Sequence, residues 1–271
     1  MPPMTRFRVV DAFTDQPFSG NPAAVIAVDG PLDEGWAQRA AAEFNLSETA
    51  FLTPHGGPGA DFGLRWFTPS VEVALCGHAT LAAAHALFQD GAQGPLRFST
   101  RWSGVLTVER RDGRLWMDFP ANPPQEAPAP HGLADALGAR IERAGTAGTG
   151  DLMVELADER TVRGLDPVPA RMSGHAERGV IATARADEGR PYAFVSRFFA
   201  TDVGVEEDPV TGSAHTVLAP YWAERLGGTA FSALQCSARG GRVEVELPAG
   251  APGRVLIGGS AVTVSEGHLL A

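Results

Sequence analysis

Arg65-Trp66-Phe67, followed by Cys76-Gly77-His78-Ala79-Thr80-Leu81-Ala82, returns later as Arg197-Phe198-Phe199 followed by Thr211-Gly212-Ser213-Ala214-His215-Thr216-Val217. The Arg-aromatic-Phe elements stand 132 residues apart and the Gly-x-Ala elements 135 apart, so one small insertion separates the copies. Each copy reads as a strand, an irregular acidic or proline-bearing loop, and a glycine turn that opens a helix of small residues. Each of these helices is apolar on nearly every face, the mark of a helix surrounded by protein. Strand candidates outnumber helices in both halves. The reading that satisfies all of this is an α+β chain in which a curled sheet wraps a central helix, made twice.

Working outward from the first copy, residues 7–13 and 23–28 read as strands, and Asp33 is placed to cap a helix over about 34–44. Strand candidates follow at 49–53 and 63–68, then the first central helix from Gly77 to about residue 88. Residues 96–99, 105–110 and 115–119 form a meander whose turns hold Gly104 and Asp112-Gly113. Five prolines lie between 120 and 130, where neither a helix nor a central strand can form. This stretch is read as the connection between a domain over 1–120 and a second over 121–271, with about 266–271 packing back on the first. In the second half a helix is expected near 133–142, strands at 152–156, 179–184 and 193–199, and the second central helix over about 212–226. Residues 243–247, 254–257 and 261–265 read as closing strands.

The chain has 271 residues, 44% hydrophobic and 20% charged, with a net charge of −10. Two domains of ordinary size are comfortable at this length. The acidic balance argues against nucleic acid and against anionic membranes. The longest small-apolar stretch, residues 79–88, is interrupted by His85 and is too short to span a bilayer. No secretory pattern opens the sequence, and Cys76 and Cys236, with no CxxC pair, fit a reducing compartment, so a cytoplasmic protein is expected. There is no P-loop and no GxGxxG, and hence no expectation of a nucleotide cofactor; with no CxxC pair, no metal knuckle is expected either.

Two helix N-termini with Gly77 and Gly212 at their mouths offer amide N–H groups and aligned dipoles suited to a small carboxylate. No basic cluster accompanies the turns, which favours a carboxylic acid over a phosphate ester. His78 and Ser213 hold matching places at the two helix starts, and Cys76 matches Thr211. A histidine beside a positive helix end tends to stay neutral and can relay a proton, although it can equally cap or pack. Asp208 precedes Pro209, which favours an extended backbone that presents its side chain, and a plain turn cap is the alternative. Glu206 and Glu207 read as a solvated charge run.

Four segments resemble the signature blocks of the phenazine-biosynthesis PhzF-like isomerase family, which shares the diaminopimelate epimerase fold. They are Asp11-Ala12-Phe13-Thr14-Asp15-Gln16-Pro17-Phe18-Ser19-Gly20-Asn21-Pro22, Asn45-Leu46-Ser47-Glu48-Thr49-Ala50-Phe51, Cys76-Gly77-His78-Ala79-Thr80 and Glu207-Asp208-Pro209-Val210-Thr211-Gly212-Ser213-Ala214-His215. The blocks occur in family order across both halves. Where the family often shows Phe-Ala-Pro, this chain has Phe199-Ala200-Thr201-Asp202. The resemblance implies two pseudo-symmetric, barrel-like domains, a substrate cleft between them, no cofactor and a homodimer.

It also implies that Glu48 takes a proton from a substrate carbon and returns it elsewhere. A carboxylate does this only with its pKa raised toward neutrality and water excluded. His78, Asp208 and Ser213 join Glu48 as the implied catalytic set, with Asn21, Gly77, Gly212, Cys76 and Thr211 lining the substrate. In epimerases of this fold two cysteines serve as opposed bases. Here Thr211 occupies the second cysteine's slot, so a two-thiol amino-acid racemase is the weaker reading and Cys76 reads as a small buried hydrophobe. A serine hydrolase through Ser213 and His215 is weaker still, since residues two apart at a helix start point away from each other. The remaining alternative is a non-catalytic small-ligand-binding protein of the same fold.

Overall fold

The computed structural model describes residues 5–54 and 57–270. The ends of the two expected domains, residues 1–4 and 271, lie outside the described residues. The chain divides into two compact units, Met1–Asp118 with Gly258–Ala271, and Phe119–Ile257.

The first unit opens with β1 (Thr5–Ala12), β2 (Asn21–Ala27), α1 (Glu34–Phe44), β3 (Glu48–Pro54), β4 (Phe62–Phe67) and β5 (Glu72–Val73). It continues with α2 (Gly77–Gln89), β6 (Leu96–Ser99), β7 (Val105–Arg111) and β8 (Arg114–Pro120). α1 starts where Asp33 accepts the Trp36 N–H at 2.7 Å and stops where Asn45 turns left-handed at φ 49°. It lets β2 and β3 run parallel, because a parallel pair needs a crossover. Ala37, Ala40 and Ala41 on its inner face pack with Ile26, Phe51 and Phe67, where the Phe51 and Phe67 rings meet edge to face at 5.4 Å. β3 is antiparallel to β4, and α2 carries the chain over to β6, parallel to β4. α2 buries His78, Thr80, Leu81 and five alanines, and it packs on β1, β2 and β3. A side so rich in alanine lets the curled sheet approach from several directions.

The second unit holds β9 (Gln125–Glu126), α3 (Leu133–Leu137), β10 (Ile141–Thr146), β11 (Asp151–Leu156), α4 (Glu159–Arg163) and α5 (Pro169–Met172). After these come β12 (Gly179–Arg185), β13 (Phe194–Ala200), a 3-10 turn (Thr201–Val203), β14 (Val205–Asp208), α6 (Gly212–Leu226), β15 (Ala230–Gln235) and β16 (Gly241–Glu246). β10–β11 is antiparallel, β11–β12 parallel, β12–β13 antiparallel, β13–β15 parallel and β15–β16 antiparallel. The first unit has the same run of pairings from β1 to β7, with α6 in the place of α2. The repeat read from the sequence is therefore a repeat of topology: each unit is a mixed, curled sheet round one apolar helix. β17 (Arg254–Gly259) leads into β18 (Ala261–Leu269), which runs antiparallel to β1 with Ala261 opposite Ala12 and Leu269 opposite Thr5.

Two expectations change. The helix expected over 133–142 ends at Leu137, because Gly138 turns left-handed at φ 67°, and Ile141–Thr146 forms β10 instead. β15, parallel to β13 and essential to the second sheet, carries the mixed sequence Ala230-Phe231-Ser232-Ala233-Leu234-Gln235 and gave no clear strand signal.

Candidate functional site

In the first unit, β3 begins at Glu48, set opposite Ala23 by the parallel register of β2 and β3. α2 begins one residue after Cys76, whose backbone is extended (φ −144°, ψ 112°) and whose side chain makes no cap hydrogen bond. The first-turn amides of α2 are thus left without a side-chain cap, as an anion-binding turn requires. His78 brings the two elements together. Its Nε2 lies 3.3 Å from Glu48 Oε2 and its Nδ1 lies 3.5 Å from Cys76 Sγ. The His78 side chain is 6% exposed and the Glu48 side chain 20%. Burial lowers the His78 pKa to about 3, so the imidazole is neutral at neutral pH. Asn21, the first residue of β2, is wholly buried.

Glu48, Cys76 and His78 offer one donor atom each within 4.8 Å of one another. The thiol and the carboxylate face opposite nitrogens of one ring, however, an arrangement suited to relaying a proton rather than to sharing one ion. Cys76 is buried, as the sequence suggested, but it stands beside the imidazole rather than in the general core.

In the second unit, Thr211 precedes α6 as Cys76 precedes α2, again extended (φ −110°, ψ 100°) and without a side-chain cap. Its hydroxyl donates to Asp208 Oδ2 at 2.5 Å and its N–H donates to Gln235 Oε1 at 2.8 Å. Gln235 Nε2 donates to the Asp208 carbonyl at 2.7 Å. Gln235 is wholly buried at the end of β15, so it pins both ends of the loop that carries Asp208. Ser213 Oγ accepts from Arg178 Nη1 at 3.1 Å. His215 donates from Nδ1 to the Thr211 carbonyl at 2.8 Å and stacks on Phe194. Burial lowers its pKa to about 4. His215 does not reach Ser213, which removes the geometry that a hydrolase would need.

The repeated Arg-aromatic-Phe element also has a definite job. Arg65 holds Glu72 through two contacts of 2.6 Å and lies over the Phe67 ring. Arg197 holds Glu207 at 2.7 and 2.8 Å and lies over Phe199. In each unit the fork clamps the strand that leads to the helix N-terminus. The partners are seven residues apart in the first copy and ten in the second, so the insertion falls inside the clamped loop, where the 3-10 turn lies. Glu207 is therefore a paired residue and not part of a solvated run, while Glu206 is exposed.

Three further residues belong to this neighbourhood: Gln235, Arg178 and Asp151. Arg178 pairs with Asp151, a side chain with no exposed area, and stacks over Phe198. One basic side chain, Arg178, stands at the mouth of α6, paired with Asp151. No motif marks it: Arg178 sits just ahead of β12 in a loop without periodicity.

The phenazine biosynthesis-like protein model (PhzC-PhzF) matches residues 10–267. An uncharacterized isomerase of Pseudomonas aeruginosa is 51% identical over 262 residues, 96% of each chain. A crystal structure of a PhzF-family phenazine biosynthesis protein from Enterococcus faecalis superposes with a TM-score of 0.92 at 40% identity, covering 99% of this chain and 100% of that one. A hydroxyproline epimerase from Agrobacterium vitis, solved with bound trans-4-hydroxy-L-proline, shares the fold at 15% identity, a TM-score of 0.65, and 98% and 92% coverage. The chain belongs to the phenazine biosynthesis-like protein family.

Proposed function

We infer that this chain is a cofactor-independent isomerase that shifts a proton on a small, carboxylate-bearing substrate taken up in the interdomain cleft expected from the sequence. Glu48 is the single base that removes the proton and, once protonated, returns it at a second carbon. The observation that carries the reading is the Glu48–His78 contact of 3.3 Å beside an uncapped helix N-terminus. A neutral imidazole this close to the carboxylate is placed to exchange a proton with it without adding a fixed positive charge. A fixed cation there would hold Glu48 ionised and make it a poor acid on the return step.

The inequality of the two helix mouths supports one base rather than two. Cys76 stands at one mouth, but at the other the Thr211 hydroxyl is committed to Asp208 and has no basicity near neutral pH. Asp208 and Ser213 bind and orient substrate oxygen in this reading. The names of the relatives as isomerases agree with it. The test is hydrogen exchange: cyclic hydroxy acids are incubated with wild type and with Glu48→Gln in deuterated water. Deuterium incorporation or isomerisation by wild type alone is the expected result; equal activity in both removes Glu48 from its role.

A further inference from the structure

We propose that the Cys76 thiol is a positioning residue for the proton shift: by donating to Nδ1 of His78 it keeps the ring hydrogen on Nε2, facing Glu48, so that the imidazole cannot take up the proton that Glu48 removes from substrate. The proposal rests on the isomerase reading and deepens it by giving the third member of the cluster a role.

A neutral imidazole carries one N–H and one bare nitrogen, and its neighbours decide which is which. His78 is buried, with Nε2 3.3 Å from Glu48 Oε2 and Nδ1 3.5 Å from Cys76 Sγ. Among the described residues no hydrogen-bond partner competes with Glu48 for Nε2. Glu48 and Cys76 therefore set the tautomer between them. While Glu48 is ionised, its charge draws the ring hydrogen to Nε2. Once Glu48 holds the substrate's proton it is neutral, at once donor and acceptor, and it stops choosing. The thiol then decides. Both of its hydrogen-bonding roles are weak, but the bare ring nitrogen is a more basic acceptor than sulfur, so an S–H turned to Nδ1 is the better match.

The tautomer matters because of where it leaves the migrating proton. With hydrogen on Nδ1, a bare Nε2 would accept the Glu48 O–H and hold that proton against the ring. With hydrogen on Nε2, the ring offers Glu48 no lone pair. A second proton would make the ring a cation, which burial disfavours. The proton then stays on Glu48, available for the second carbon.

Local structure frees the thiol for this role. Cys76 stands before α2, where Ser, Thr, Asp or Asn would cap the helix, yet its side chain makes no cap and meets the ring two residues on. The Thr80 N–H and hydroxyl both donate to the Cys76 carbonyl, at 3.2 and 2.6 Å, and fix the turn. In the second unit Ser213 replaces the imidazole, and Thr211, in the place of Cys76, gives its hydroxyl to Asp208 instead.

The test is the 15N spectrum of histidine-labelled protein, which separates a protonated ring nitrogen from a bare one. Glu48→Gln reproduces the neutral carboxyl group, since an amide also donates and accepts. Wild type and Glu48→Gln should both carry hydrogen on His78 Nε2. Adding Cys76→Ala to Glu48→Gln should give a mixture, the ratio moved toward Nδ1–H by about threefold to tenfold. Adding Cys76→Ser instead keeps a donor and should hold Nε2–H, a rescue that a packing role for Cys76 does not predict. Amide peaks of Phe51 and Phe67 report that the first unit stays folded, and His215, whose Nδ1 donates to the Thr211 carbonyl, serves as the reference tautomer. Hydrogen on Nδ1 in Glu48→Gln, no change on adding Cys76→Ala, or a mixture with serine would each overturn the proposal. No substrate enters the measurement, so failure of the isomerase reading shows in hydrogen exchange alone.

Discussion

Replacing Glu207 with Gln should destabilise the second unit more than Glu72→Gln destabilises the first, although the two clamps look alike. Arg197 is 12% exposed and Glu207 21%, and the fork makes two short contacts with the carboxylate. Removing one partner of a buried pair costs about 3–5 kcal/mol. Residual exposure, and the Leu165 carbonyl that also accepts from Arg197, reduce this to about 2–3 kcal/mol. In Glu72→Gln the cation keeps a second carboxylate, Glu34, at 2.9 Å, so the loss falls to about 1 kcal/mol. Calorimetry should show the transition of the second unit lowered by about 6–9 °C for Glu207→Gln, against about 3 °C in the first unit for Glu72→Gln. Glu207 is followed directly by Asp208, so activity should fall with it. A larger effect from Glu72→Gln, or a shift below about 2 °C for Glu207→Gln, would refute the clamp as described.

His78 and His215 stay neutral in the fold, with pKa values of about 3 and 4 against an ordinary 6.5. The unfolded chain takes up those protons first, so stability is whole above pH 6.5 and falls as pH drops below it, by up to about 1.4 kcal/mol per unit for each histidine. Urea unfolding between pH 6.5 and 5, where most carboxylates remain ionised, should show this decline, and 15N shifts should report a neutral His78 throughout. Gly20→Ala should cost about 1–3 kcal/mol and weaken ligand binding, because φ is +66° and a Cβ would sit 2.2 Å from the Ala12 carbonyl oxygen, directly before Asn21. Gln235→Met removes the acceptor of the buried Thr211 N–H and a donor to the Asp208 carbonyl. That should cost about 2–4 kcal/mol in urea unfolding. An unchanged midpoint would remove Gln235 from its bracing role.

The doubled architecture was legible because two apolar helices and two Arg-aromatic-Phe strands repeat at almost constant spacing. α1 was legible from its start, which Asp33 marks chemically, while the structure shows Asn45 closing it in the left-handed conformation. β10 and β15 were not, because their short mixed sequences become strands only when neighbours supply hydrogen bonds. Glu48, Cys76, His78, Asp208, Thr211 and Ser213 stand in local motifs and could be read. Gln235 reaches Thr211 from 24 residues away and Arg178 reaches Ser213 from 35, contacts that belong to the fold and leave no periodic trace.

The claim of a single base is tested most directly by following the migrating hydrogen. A substrate deuterated at the carbon that loses its proton, once identified through the exchange assay, is turned over briefly in ordinary water beside unlabelled substrate. With Glu48 acting as both base and acid in a water-poor site, part of the deuterium should reappear at the new carbon of the same molecule, and Glu48→Gln should abolish turnover. Product hydrogen drawn wholly from solvent, with Glu48→Gln as active as wild type, would contradict the account.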